Sequence, residues 1–141
     1  MASRFQRFIS LLESRTKGFL VLLAAIALLS LASFMALSEY RFIQTSARAD
    51  GVVFRQDHGK HHVSIRFNTS DGKVIEYGQN GFISFEVGDK VTVLYDPKKP
   101  DFDAKVNTIG ATWGDTLGPG ILGLFFLANS LLMIFRPEDA D

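Results

Sequence analysis

Residues 18–38 read GFLVLLAAIALLSLASFMALS and residues 116–135 read TLGPGILGLFFLANSLLMIF. Neither run contains a charged side chain. Each is about the length that crosses ~30 Å of hydrocarbon as a helix rising ~1.5 Å per residue. Between them lie the 77 residues Glu39–Asp115, polar and patterned for short strands. The sequence therefore predicts two transmembrane α-helices flanking a small all-β domain. That domain is expected to have five or six antiparallel strands in a partly closed barrel or curled sheet. The predicted order is a cytoplasmic amphipathic segment (1–17), helix one (18–38), an extracytoplasmic β domain (39–115), helix two (116–135) and a cytoplasmic tail (136–141).

A secretory signal has an apolar core of roughly 7–15 residues followed by a small-residue cleavage site. The first run is longer than that, and its nearest candidate site, Ala47-Arg48-Ala49, lies well beyond its end. It reads as an uncleaved anchor. Arg4, Arg7, Arg15 and Lys17 precede it against one acid, Glu13. Basic flanks stay in the cytoplasm, so both termini are expected there, with the protein multi-pass in the cell (inner or plasma) membrane. Arg136 after the second run agrees. Phe5, Phe8, Ile9 and Leu12 recur at helical spacing, which predicts an interfacial amphipathic helix before the chain turns into the bilayer.

Antiparallel spanning helices would place residues whose numbers sum to about 153 at equal depth. Ser33 then meets Gly120, Ser30 meets Gly123, and Ala24 meets Asn129. Small residues permit close approach in lipid, where burial supplies no drive. These six are the candidate helix-pairing residues. Asn129 is the strongly polar side chain within the runs and is expected to face the partner helix. Gly110, Gly114 and Gly118 are read mainly as the loop-to-helix junction. Pro119 suits a first helical turn, and Trp113, Tyr40 and Phe42 suit an interfacial aromatic belt.

In the middle segment, apolar residues recur at Val52 and Phe54; at Val63, Ile65 and Phe67; and at Val74, Ile75 and Tyr77. Further groups follow at Phe82, Ile83 and Phe85 and at Val91, Val93 and Tyr95. Turn residues separate the runs, and Asp71-Gly72 is the strongest hairpin signal. Phe42, Ile43 and Ala47 could continue the first helix for a turn or two.

The stretch Val87-Gly88-Asp89-Lys90-Val91-Thr92-Val93-Leu94-Tyr95-Asp96-Pro97 carries a family resemblance. With Gly51-x-Val53, Val63-x-Ile65-x-Phe67 and Asp71-Gly72, it resembles the domain-of-unknown-function 3592 family over about residues 20–135. The resemblance implies a helix, a short β domain, a second helix and a membrane location, but no reaction. Asp96–Pro100 departs from the family pattern, where an Asn often precedes the second proline. The motif has a structural reading: a tight turn at Gly88-Asp89, a strand, and prolines that end it.

Fifteen basic residues balance fifteen acidic ones, which argues against a nucleic-acid partner. The chain has no cysteine, so thiolate chemistry and sulfur metal sites are excluded. Asp57, His58 and His61 are weak metal candidates; His61 and His62 point to opposite faces of an extended chain. No catalytic motif or cofactor fingerprint appears, so no cofactor is expected. These features predict a non-enzymatic integral membrane protein whose β domain binds or positions another envelope component. The alternative is a small accessory subunit of a membrane complex working through its paired helices. Expected partners are membrane lipid and another envelope or membrane protein.

Overall fold

The computed structural model describes residues 2–135, except the side chains of residues 2–4, 7, 8, 10 and 11. The acidic tail, Arg136 and the Phe8 side chain lie outside the described residues. Two long apolar helices at the two ends of the chain flank a curled five-stranded antiparallel sheet. The elements are α1 (Ala2–Thr45), β1 (Ala47–Gln56), β2 (His62–Asn68), β3 (Val74–Asn80), β4 (Lys90–Tyr95), β5 (Ala104–Val106), α2 (Ile109–Thr112) and α3 (Gly114–Ile134). The chain divides into two compact units. One takes in the helices up to Phe34 and from Leu117; the other is Met35–Thr116.

In the helical unit, the expected break between an interfacial segment and a spanning helix is absent. α1 runs unbroken for 44 residues, about 66 Å at ~1.5 Å per residue. No proline interrupts it, and the Lys17–Glu13 pair (2.7 Å) and the Thr16 hydroxyl bonded to the Leu12 carbonyl (2.8 Å) span the expected junction. The helices meet along Gly18, Ala25 and Ala32, spaced seven apart, and along Gly123 and Ser130. Ala25 and Ser130 are fully buried. A Cβ on Gly18 would fall 2.8 Å from Ile134 Cγ1, and one on Gly123 would fall 2.9 Å from Leu29 Cδ2.

In the second unit, α1 ends where the Thr45 and Ser46 hydroxyls take the Arg41 and Phe42 carbonyls, and β1 begins at once. The strand order is β3-β2-β1-β4-β5. The inward residues of β1 are Ala47, Ala49, Gly51 and Val53, the opposite parity to the alternating pair Val52 and Phe54. Gly51 explains the choice. A Cβ there would lie 2.8 Å from Val93 Cγ2 and 3.3 Å from Ile65 Cγ2, so these two branched side chains fill its place. A bulge between Val53 and Arg55 then holds Phe54 out of the ladder.

The expected strand around Phe82–Phe85 is a loop. Gly81 and Gly88 take positive φ (121° and 99°) and turn the chain across the β1–β2 hairpin. There the Phe85 N–H bonds the Lys60 carbonyl (3.1 Å) and Ile83 plugs the core. The fifth strand is instead Ala104–Val106, paired to β4 in the register Val93↔Val106. Asp71-Gly72 does turn a hairpin, but as the loop Thr69–Lys73, with Gly72 alone at positive φ (84°). The Thr69 hydroxyl bonds Asp71 and the Lys73 carbonyl there, which a two-residue turn would not allow.

The sheet curls until β5 approaches β3, and a side chain closes the gap. The Val106 N–H donates to Gln79 Oε1 (3.1 Å), and Gln79 Nε2 donates to the Asn80 carbonyl (2.9 Å). The core is Val53, Val63, Ile65, Phe67, Ile75, Ile83, Val93, Tyr95 and Val106. Leu94 is buried on the other face. Its cross-strand neighbour Lys105 pairs with Glu39 and lies 5.5 Å from the Phe42 ring, so the last turns of α1 cover that part of the sheet. The Gly88-Asp89 turn clamps β1: Gly88 N–H bonds Val53 O (2.8 Å) and Val53 N–H bonds Asp89 O (2.9 Å).

Gly51→Val should force Val93 and Ile65 apart and cost about 1–3 kcal/mol, the usual penalty of overpacking. Urea unfolding followed by circular dichroism checks this; an unchanged midpoint would show that the sheet has room at Gly51.

Candidate partner-binding surface

The parity set by Gly51 turns Asp50 and Val52 outward. Register then places Arg66 and Lys90 on either side of Val52, and Thr92 beside Asp50. With Asn68, these side chains line an open depression of about 550 Å³ on the central strands. Arg66 anchors it. Its guanidinium bonds Glu76 (2.7 Å) across the β2–β3 ladder and lies 4.7 Å from the centroid of the Phe54 ring. Arg55 approaches the same ring at 5.7 Å. The face thus presents both charges, hydroxyl and amide groups, an exposed valine and an arginine stacked on an aromatic. This mixture suits recognition of a protein surface, where arginine and aromatic side chains are enriched.

The sequence had pointed elsewhere. Asp57 accepts from Arg55 (2.5 Å) and Ser64 (2.7 Å), and these contacts hold its carboxyl below the usual range. His61 Nδ1 is engaged by the Ile83 carbonyl, and the His58 ring stands edge-on to His62 at 6.2 Å. Among the described residues, no group of three His, Cys, Asp or Glu could hold a metal ion. Asp89 and Asp96 are turn residues: the Glu86 N–H donates to Asp89 Oδ2 and the Lys98 N–H to Asp96 Oδ1, each at 2.8 Å.

Of the six helix-pairing candidates, the structure places Gly123 against Leu29 and Gly120 within 3.8 Å of Ala32. Ala24, Ser30 and Ser33 are exposed, and the seam on α1 runs one position along, through Ala25, Leu29 and Ala32. Asn129 is half-buried and donates to its own helix, at the Phe125 carbonyl (2.8 Å). A short amide reaches the carbonyl one turn back more readily than a neighbouring helix. Gly110 and Gly114 are occupied by the Phe82 loop: a Cβ on Gly110 would fall 1.7 Å from the Phe82 carbonyl oxygen.

The chain is similar to the immune protein Tsi4 of Pseudomonas aeruginosa. The two are 37% identical over 93 residues, a match that takes in 65% of this chain and 64% of Tsi4. No family model matches the chain, and no solved structure does. The likeness to Tsi4 overturns the expected functions. Neither a membrane protein that positions an envelope component nor an accessory subunit acting through its helices accords with a relative that is an immune protein. Hydropathy and strand pattern report where apolar groups lie, and an immune role leaves no mark in either.

The Tyr77 hydroxyl is buried without a hydrogen-bond partner among the described residues, its ring edge-on to Phe67 at 5.9 Å. Burial pushes its phenol well above the ordinary tyrosine range. A raised folded-state pKa means that this group's contribution to stability is whole below its unfolded value, about 10, and is lost as pH rises beyond it. Tyr77→Phe strands no partner, so it should leave stability at pH 7 unchanged or raised by up to about 1 kcal/mol. It should also move alkaline unfolding to higher pH. A pH titration of tyrosine absorbance beside circular dichroism reads both effects.

Proposed function

We propose that this chain is an immune protein: it protects its cell by binding a toxic partner protein, and the open face around Arg66 makes the contact. The likeness to Tsi4 carries this reading. The action is binding and not turnover, so the chain works without a catalytic centre or cofactor. Support for the face comes from its composition. Arg66 is held in place by Glu76 and Phe54, so little rotamer freedom is lost when a partner covers it. Asp50 and Lys90 flank it with opposite charges, which favours a partner of matching charge pattern.

The test is protection. Cells producing the chain are challenged with candidate toxic proteins, and binding to each is measured by calorimetry. Survival and a stable complex are expected. Arg66→Glu should weaken binding by about 2 kcal/mol or more, roughly 30-fold. Cells that die as fast as those lacking the chain would overturn the reading. Full protection by Arg66→Glu would move the contact off this face.

We further infer the location: α1 and α3 cross the cell membrane with both termini in the cytoplasm and the β domain outside. The support is the length and composition of two helix segments, Leu12–Thr45 and Gly114–Ile134, together with Arg4, Arg7, Arg15 and Lys17 ahead of the uncharged run 18–38. Alkaline phosphatase fused at Asp71 should be active and fused after Asp141 inactive; the reverse pattern would invert the topology.

A further inference from the structure

Two of the most exposed large apolar side chains in the β unit lie on segments that touch, since Phe82 packs against Gly110, the residue after Ile109. Phe82 is 79% exposed and Ile109 is 75% exposed. They are not on loose ends. Gly81 takes a φ of 121° that a side chain would resist. Ile83, next along the chain, is buried in the core. Gly110 and Gly114 carry no side chains because the Phe82 backbone and ring occupy their space, the ring carbon Cδ2 lying 2.9 Å from where a Gly114 Cβ would be. The fold thus fixes an apolar knob against the turn where α3 begins.

The two segments are themselves free of charge, although His61 engages the Ile83 carbonyl and the Lys60–Glu86 pair (2.6 Å) stands where the first segment ends. Residues 81–85 (GFISF) and 107–114 (NTIGATWG) contain no ionisable side chain, and after Asp115 none appears through Phe135. Half-buried Trp113 belongs to the same turn. A rigid, uncharged, aromatic-rich knob continuous in sequence with an apolar helix has the chemistry of the membrane interface, where aromatic rings sit at headgroup level. We propose that Phe82 and Ile109 insert into the headgroup–acyl boundary of the phospholipid bilayer and seat the β unit on the membrane surface. The proposal rests on the membrane location inferred above.

Trp113 is the single tryptophan of the chain, so Trp113→Phe supplies a dark background. In it, full-length Phe82→Trp reports the knob and Phe125→Trp reports α3. Ile109→Trp is a second reporter should Phe82→Trp not fold. Each variant is reconstituted into phosphatidylcholine–phosphatidylglycerol vesicles with acyl chains brominated near the glycerol end. The knob reporters should emit to the blue, lose intensity to the brominated lipid and resist aqueous iodide. Quenching of Phe125→Trp by lipid while both knob reporters respond to iodide alone would overturn the proposal and leave the knob to water or a protein. Escape of Phe125→Trp as well would remove the membrane location, and this proposal with it.

Discussion

The β unit depends on a side chain that is missing. At Gly51 the central strand passes between β2 and β4 so closely that Val93 and Ile65 share the volume a Cβ would need. Because side chains alternate with a period of two, this one position fixes the facing of the whole strand. Ala47, Ala49 and Val53 go inward with it. Asp50 and Val52 go outward, and strand pairing brings Arg66, Lys90 and Thr92 to them. Core and candidate binding face are thus two consequences of one constraint. Changing the parity of β1 would bury Asp50 and expose Val53.

Closure of the sheet shows a related economy. Going along the order β3-β2-β1-β4-β5, each neighbour is antiparallel, so the two edge strands run parallel to each other. They do not pair through a backbone ladder. Gln79 instead spans the gap with both ends of its amide, satisfying the Val106 N–H and its neighbour's carbonyl. A buried N–H left unpaired would cost about 1–3 kcal/mol, so one glutamine does the work of a strand edge at that point. The exposed rim of Lys73 and Asp101, paired at 2.7 Å, contributes less because water screens it.

Much of the architecture was legible in the sequence, since it rests on composition and period. Uncharged runs give helices, and alternating β-branched residues bounded by Gly and Asp give strands. What failed depended on neighbours distant in sequence. Val52 and Phe54 are the alternation the sequence displays, since valine and phenylalanine outrank alanine and glycine in hydrophobicity; only the proximity of Val93 turns the other parity inward. Phe82–Phe85 has strand composition, yet flanking glycines at positive φ turn it into a plug. Ala104–Val106 is too short to carry a period and exists because β4 supplies its partner. The candidate face was illegible for the same reason. Its residues lie on three strands, and no local motif joins Asp50, Arg66 and Lys90.

The helix seam sharpens this point. Matching small residues at sums near 153 located the right depths, but contact needs the right side of each helix as well. The observed pairs, Gly18 with Ile134, Leu29 with Gly123 and Ala32 with Gly120, sum to 152. One residue is about 100° around a helix at ~3.6 residues per turn, so a shift of one turns a seam residue to the outside. Ala25 and Ser130 are fully buried, whereas Ala24 and Ser33 are exposed. The signal that distinguishes them was present as the seven-residue spacing of Gly18, Ala25 and Ala32, which holds one stripe along a helix face. Polarity at Asn129 and Ser33 was the weaker guide, because each side chain satisfies itself on its own helix and so exerts no pull on the partner.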